Sequence, residues 1–468
     1  MILNSYAVLD GFVGLLRAVL ALAVLGLAVI ALLGWRRARQ PEDRKALEDR
    51  CYLLFLLAGL LLLLDVLSWP LFYLLLQSYV AEWPGVMCVY GVSRIGTGSI
   101  GPARFLPTLV TALQTAKPVL VFLSGAWFVL YLLNRRTRTA PLTGRVLGLV
   151  LAAGLLALAD AAAELTYLAI PKKEEFLSGG CCTPAFDDQA SPARLLPGEW
   201  VGPEQLPWLY AAYYAVNGCM ILALAAGARL CRLRLPGPSL AVLLGLALAS
   251  GAVNAVFLVE AAAPRLSRLP YHHCPYDLIP RAPESLVSVG LFLAGSFAVG
   301  WGCTAAWLGG AVETRPLLPG TVGSLLRLGV VVYAGSLLLM SVDLWARRQA
   351  GDGCALDGMA IQAPYRVDVT DARGQTHSFC CLRCAEIWMG QQAKPVLAIR
   401  VTDETSGEMI DAGEAHYVHS QVVTTPTTGN RIHAFRHLAD AERHARRELG
   451  GVLSGSERPF ASLLPGAE

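Results

Sequence analysis

Cys380, Cys381 and Cys384 stand together in the run CCLRCAEIWMGQQ, which reads as the start of a helix. Spacing i, i+3 puts Cys381 and Cys384 on one face, and a helix N-terminus favours thiolate over thiol. Cys354 and Met359 lie upstream, and His416 and His419 downstream. Thiolate and thioether are soft donors that select copper(I), while imidazole suits several metals, so zinc stands as the second ion. Copper(I) usually takes two to four ligands, so at least one of these cysteines is expected to be dispensable. Asp357 offers only hard oxygens and is left out of the set.

The same cysteines carry two other readings. Outside the cytoplasm, thiols oxidise, and a disulfide from Cys354 to the cluster would staple the start of the segment to its first helix. Exchange of such a disulfide would make the cluster a redox centre. Nothing in the spacing singles out a base for a nucleophilic thiolate. His433, His437 and His444 read as solvated or hydrogen-bonded side chains around a strand and helix. His377 reads as pointing away from the core.

A second set of cysteines is spaced along the chain. Cys88, Cys181 and Cys274 stand 93 residues apart, twice over, in the contexts GVMCVYG, SGGCCTPAF and YHHCPYDLI. With Cys182, His272 and His273 they offer either a soft-metal site or pairs for loop-bracing disulfides. Both readings stand. Cys51, Cys219, Cys231 and Cys303 fall in or beside apolar runs and read as packing residues.

The elements that hold these residues follow from composition. Of 468 residues, 55% are hydrophobic and only 16% charged, too little charge for a wholly soluble chain of this size. The formal net charge of +3 excludes a strongly basic nucleic-acid binder. Eight apolar stretches, roughly 11–34, 51–76, 105–133, 146–170, 207–230, 240–263, 285–310 and 322–345, are each long enough to cross a bilayer. The first has an acidic leader and no small-residue cleavage site, so it reads as a retained span rather than a signal peptide. The loops at 36–50, 135–145, 231–239 and around Arg315 hold thirteen Lys and Arg, against eight in the longer loops at 77–104, 171–206 and 264–284. The basic set is expected to face the cytoplasm, which places both termini and everything after Trp345 outside.

The 93-residue spacing suggests repeated two-helix hairpins at 51–133, 146–230 and 240–310. A polar residue recurs deep in the preceding helix of each: Asp65, Asp160 and Asn254. Lys117 is another mid-span charge, set to pair with Asp65 or Asp160. Such residues mark either an ion or proton path or a structural ion pair. For Arg17 and Glu260 the structural or snorkelling role is the expectation.

After Arg348 the pattern changes to short alternating runs. PYRVDVTD, GQTHSF, VLAIRVTD, EMIDA, HYVHSQ and RIHAF read as strands, with a turn at Arg373-Gly374, and HLADAERHARREL as a closing amphipathic helix. The expected fold is a polytopic α-helical membrane bundle over 1–346, an α+β soluble domain over 350–452, and a flexible tail over 453–468.

The runs DGMAIQAPYRVDVTDARGQTHSFCCLRC, VLAIRVTDETSGEMIDAGEAHYVHS and GNRIHAFRHLADAERHARRELGG resemble NosL, the copper-binding accessory proteins of nitrous oxide reductase. The resemblance covers about a fifth of the chain. Family members typically begin C-x-x-C-G-M, whereas this chain has Cys354-Ala-Leu-Asp357-Gly358-Met359, with Asp357 in place of the second cysteine. Family members are also commonly lipoproteins, not domains joined to eight spans. The resemblance implies copper(I) handling on the extracytoplasmic face of a bacterial-type inner membrane and delivery to an exported apo-metalloenzyme or another metal-handling protein. The expected partners are therefore the lipid bilayer and such a recipient, with no nucleic acid, and the chain is not expected to be an enzyme. A membrane thiol–disulfide oxidoreductase and a non-catalytic assembly scaffold with structural disulfides are the alternatives.

Overall fold

The structure, a computed structural model, describes residues 4–38, 41–80, 82, 88–97, 101–172, 195–196, 200–201, 205–231, 237–267, 273–349, 353–356, 358–390, 396–424 and 430–460. The chain forms two compact bodies. One comprises Met1–Cys182, Pro203–Phe257 and Pro283–Met340; the other comprises Thr183–Gly202, Leu258–Ala282 and Ser341–Glu468.

Among the described residues, eight helices are long and apolar enough to cross a membrane: spans 1 to 8 are Ser5–Arg37, Tyr52–Val80, Pro102–Arg135, Thr143–Ala169, Leu206–Leu230, Pro238–Ser267, Ser285–Leu308 and Leu318–Arg347. The chain is a multi-pass membrane protein by this measure. Large apolar side chains such as Phe12, Val19 and Leu63 stay on the outside of the helices, as they do where the solvent is lipid. The inward stripe of span 1 runs Ala7, Asp10, Gly14, Arg17, Ala21, Val24, Ala28 and Ala31. Its spacing of three and four is one helical face, made of small residues except for two charged side chains. Small residues let helices approach closely. A Cβ on Gly14 would stand 3.3 Å from Leu165, and one on Gly154 would stand 3.1 Å from Leu25. Spans 1 and 4 therefore pack along most of their length, with spans 2 and 3 completing a four-helix group.

The charged side chains on that stripe meet their partners inside this group. The Arg17 guanidinium donates to Asp65 at 2.8 Å, to Glu164 at 2.7 Å and to Asp160 at 2.6 Å. The Lys117 ammonium donates to Asp160 and Glu164, each at 3.1 Å, and to the Ser68 hydroxyl at 3.3 Å. It also lies 5.2 Å from the centre of the Phe72 ring. Of the two partners expected for Lys117, Asp160 is the one it binds, and Asp65 is held by Arg17. Arg17 does not snorkel to an interface; it is fully buried at the centre of the network.

Span 5 packs on span 6, and span 7 packs on spans 3 and 6. Asn254 donates to Asn217 at 3.1 Å and to the Ser250 carbonyl at 2.8 Å, a neutral clasp between spans 5 and 6. Tyr213 and Phe257 stack beside it with ring centres 3.8 Å apart. The three polar positions of the suggested repeat thus do different work. Asp65 and Asp160 converge on one arginine, whereas Asn254 pairs with an amide. Span 4 takes spans 1 and 3 as its main partners rather than span 5, so the segment 146–230 does not form the second of three equivalent packed hairpins.

In the second body, the C-terminal part of span 6 opens into a π turn over Leu258–Ala262. The Glu260 carboxylate there accepts from the backbone N–H groups of Leu195 and Leu196 at 2.9 and 3.2 Å. Arg347, at the end of span 8, donates to the carbonyls of Leu266 and Arg281 at 2.6 and 3.2 Å. Both side chains tie loop backbone to helix ends.

The soluble segment folds as two small antiparallel sheets. Strands β1 (Val367–Thr370), β2 (Thr376–Phe379), β3 (Ala398–Thr402) and β4 (Met409–Asp411) pair in the order β2-β1-β3-β4. Strands β5 (His416–His419), β6 (Ile432–Phe435) and β7 (Gly451–Val452) pair in the order β6-β5-β7. Helix Leu382–Gly390 covers β1 and β2, and helix Leu438–Arg447 covers β5. Tyr417 and Val418 show the alternation of a strand buried on both faces. Tyr417 packs into the core of the first sheet, and Val418 packs with Phe435, Ala441 and Ala445 under the last helix.

Two expectations about this segment need correction. His377 and Phe379 are two residues apart and so share a face, paired across from Val369 and Val367. His377 is half-buried with its ring 4.7 Å from that of Trp388, and it does not point to solvent. The tail is also ordered further than residue 453. Phe460 is buried in the core, and Arg458 donates to the carbonyls of Gly413 and Ala415 at 2.9 and 2.8 Å. Phe460 is the apolar anchor that a composition rich in Pro, Gly and Ser conceals. Residues 461–468 lie outside the described residues.

Candidate metal centre

Cys354 reaches the cluster through a closed loop. Its N–H donates to the Met359 carbonyl at 2.8 Å, and its carbonyl accepts from the Gly358 N–H at 2.8 Å. The Ala355 N–H donates to Ser378 on β2, which fixes the loop against the sheet. Gly358 has φ of 67°, a conformation that costs an L side chain roughly 1–2 kcal/mol. Gly353 pairs across the loop with Ala360, and a Cβ on it would stand 2.8 Å from the Gly358 carbonyl oxygen. Two glycines therefore close the loop that presents Cys354. Gly358→Ala is expected to destabilise the domain by about 1–2 kcal/mol and to loosen Cys354. Thermal unfolding of the purified full chain, followed by thiol reactivity, measures both.

Cys380 and Cys381 bridge β2, which ends at Phe379, and the helix, which starts at Leu382. Cys384 lies in its first turn. The helix offers Leu382, Cys384, Ala385 and Met389 to the core, which is its apolar face. The sulfur atoms of Cys354, Cys380 and Cys384 lie within 4.8 Å of one another, and all three residues are buried. The Cys380 and Cys384 sulfurs are 3.5 Å apart, a thiol contact and not a bond, which would need about 2.05 Å. No disulfide occurs among the described cysteines.

The pairing differs from the one read off helical spacing. Because Cys380 precedes the helix, its side chain turns back over the first turn to meet Cys384. Cys381 is buried next to the trio but outside the mutually close set. It lines a small cleft of about 10 Å³ with Tyr365, Arg366, Glu404 and Asn430.

The electrostatics also differ from the expected helix-end effect. The Cys354 thiol, then those of Cys380 and Cys381, and burial together hold the Cys384 thiol above its ordinary range. Cys354 and Cys381 push the Cys380 thiol up in the same way, with burial adding to them. One helical turn of dipole is outweighed by three neighbouring sulfurs in a dry core. A soft cation placed among them would reverse this, since it stabilises each thiolate directly.

Of the remaining candidates, only Met359 packs against the cysteine core. Met359 supplies a carbonyl to the Cys354 loop, and its side chain packs at the edge of the cysteine core. His416 shares a strand face with Val418, opposite to the face Tyr417 turns to that core. His419 is exposed at the end of β5. Neither joins the trio. His433 is buried, with Nδ1 2.9 Å from the Glu404 carboxylate and its ring 4.3 Å from that of His444. Burial, then the nearby His433, hold His444 below its ordinary range.

Of the loop residues, Cys88 precedes the short helix Val89–Arg94, and Cys274 precedes the turn Pro275–Asp277. They belong to different bodies of the chain. His273 is buried, its Nδ1 3.2 Å from the Val259 carbonyl and 3.3 Å from the Glu260 carboxylate. Cys181, Cys182, His272 and Asp357 lie outside the described residues.

Glu164 and Glu260 stand out in the sequence as charges within spans, but three pairings do not: Glu404 with His433, Glu164 with Lys117, and Glu260 with His273. Only an i, i+4 spacing of Asp160 and Glu164 signals any of them in advance.

A metal ion with metal–sulfur bonds of about 2.3 Å requires a trigonal ring of sulfurs about 4 Å apart. The trio lies within 4.8 Å, close enough to draw in around one ion, and its donors are all soft, which suits copper(I) better than any hard ion. Structural zinc closes a tetrahedron, and neither candidate histidine stands in the fourth position. Comparison of the chain with family models, curated proteins and solved structures finds no match.

Proposed function

We propose that this multi-pass membrane protein binds copper(I) in its C-terminal domain and passes it to an exported apo-metalloenzyme. Cys354, Cys380 and Cys384 hold the ion. The observation that carries this is the mutual approach of three soft sulfurs within 4.8 Å, from two separate parts of the segment. The resemblance of residues 350–452 to NosL supports the same cargo and the role of accessory protein. The eight spans serve as anchor and platform in a bacterial-type inner membrane.

The test is metal analysis of the purified, reduced full chain. One copper per chain is expected, with about three thiols becoming resistant to alkylation when copper is bound. Copper content that is unchanged when all three cysteines are replaced by serine would exclude the site.

A second reading has one observation in its favour. The Cys380 and Cys384 sulfurs stand 3.5 Å apart, and loss of two protons and two electrons to a partner disulfide would join them while reducing that partner to a dithiol. Reversible exchange with a model disulfide, unaffected by a copper chelator, would favour this oxidoreductase.

The location of the domain rests on the Lys and Arg bias of the loops, which supports an extracytoplasmic C-terminus. Cys88, Cys231 and Cys274 are all buried and are poor reporters of sidedness. New cysteines at exposed positions serve instead. In intact cells, a membrane-impermeant maleimide is expected to label Glu414→Cys and to spare Arg136→Cys. The reverse pattern would invert the topology.

A further inference from the structure

The four-helix group of spans 1 to 4 holds more acid than base. Its buried cations are Arg17 and Lys117, and the carboxyls around them are Asp65, Asp160, Glu164 and Asp10. Fully ionised, the group would carry two uncompensated negative charges in a setting where each costs several kcal/mol. Asp10 is the member without a cation of its own. It is 1% exposed, and neither of its oxygens accepts a hydrogen bond from a donor. Its carboxyl faces that of Glu164, which already accepts from Arg17 and Lys117. Asp65 Oδ2 and Asp160 Oδ1 are further buried oxygens without a donor.

We propose that Asp10 and Glu164 form a proton-binding site inside the membrane bundle. A proton taken up forms an O–H bond on Asp10 and a hydrogen bond from it to Glu164; on release the O–H bond breaks and its electron pair stays on the carboxylate. The ligand is a proton rather than a metal cation because Arg17 and Lys117 stand against the same carboxylates and repel a cation held between them. Every element packed on Asp10 contributes to its surroundings: Arg17 from its own helix, Tyr79 from span 2, Lys117 from span 3, and Glu164 and Tyr167 from span 4. Lys172, just beyond span 4, lies 4.3 Å from the Tyr167 ring and 5.7 Å from the Tyr79 ring, placing a polar group next to the same end of the site. This gives the membrane part a chemistry of its own, separate from copper binding in the tail.

Infrared difference spectroscopy of the full chain in lipid vesicles, titrated with alkali, tests it. The unmodified protein is expected to show a carboxylic-acid C=O band at neutral pH that shifts in heavy water and vanishes at high pH. Asp10→Asn is expected to remove the band, and Glu164→Gln to shift or remove it. Glu313→Gln, in a loop after span 7 where the carboxylate accepts from Arg138 and Thr139, leaves it in place. Absence of such a band in the unmodified protein between about pH 5 and about pH 10 would overturn the proposal, as would a band that survives both substitutions. A band displaced by sodium at fixed pH would make this a cation site and would equally overturn it. Because the unmodified titration decides the main point, a variant that fails to fold does not remove the test.

Discussion

Cys384→Ser is expected to lower the copper(I) affinity of the full chain by at least about 100-fold, at the upper end of what loss of a supporting residue costs and with a direct donor removed. Cys384 is the innermost of the three sulfurs, fully buried in the first turn of its helix. Cys354 and Cys380 flank it, so two sulfurs remain after the substitution, and a hydroxyl is a hard donor that does not replace the third. Serine also places an O–H in an apolar core formed by Leu356, Phe379 and Ala385. Cys384→Ala removes that complication and is expected to give the same loss. Cys381→Ser is expected to cost far less, because Cys381 lies outside the mutually close set. His444→Ala, 24 residues beyond Ser420 in sequence and hydrogen-bonded to it rather than to any cysteine, is expected to leave affinity unchanged. Affinity in all variants is also expected to rise with pH, since thiols held protonated in the apo protein must release protons when the ion binds. A competition titration against a copper(I) chelator at two pH values measures each of these effects.

Arg17→Met is expected to destabilise the protein by about 3–5 kcal/mol, the cost of leaving buried charge without its partner. Three carboxylates bind that guanidinium: Asp65, Asp160 and Glu164. Lys117 reaches only the latter two. Asp65 would be left in the bundle with no cation, and the methionine fills the volume without replacing the charge. Adding Asp65→Asn to Arg17→Met is expected to recover part of the loss, because the stranded charge goes with it. Unfolding of the purified protein in mixed detergent, run as a double-mutant cycle, gives the coupling. A loss below about 1 kcal/mol for Arg17→Met would mean that the network does not hold the four helices together.

The spans were legible because a bilayer sets a minimum length that few other folds need, and apolar runs of that length are hard to mistake. The strands after Val367 were legible for a similar reason: alternation with Val, Ile and Thr leaves few other conformations. What the chain brings together over long separations was not legible. Glu164 is 147 residues from Arg17 in sequence, and nothing local to either predicts their contact. Cys354 joins Cys380 and Cys384 through a glycine-closed loop, a route that no periodicity encodes. The substitution of Cys380 for Cys381 in the trio turned on where the helix begins, and helix boundaries are the least certain part of any sequence reading. His377 shows the opposite case: period two alone places it beside Phe379, so the error lay in applying the pattern.

The most direct measurement of copper binding is X-ray absorption at the copper edge on the reduced, copper-loaded full chain. The expected spectrum is that of copper(I) with a first shell of about three sulfurs near 2.3 Å and no nitrogen or oxygen shell. A first shell of nitrogen and oxygen, or copper lost on passage through a desalting column, would contradict a site built from Cys354, Cys380 and Cys384.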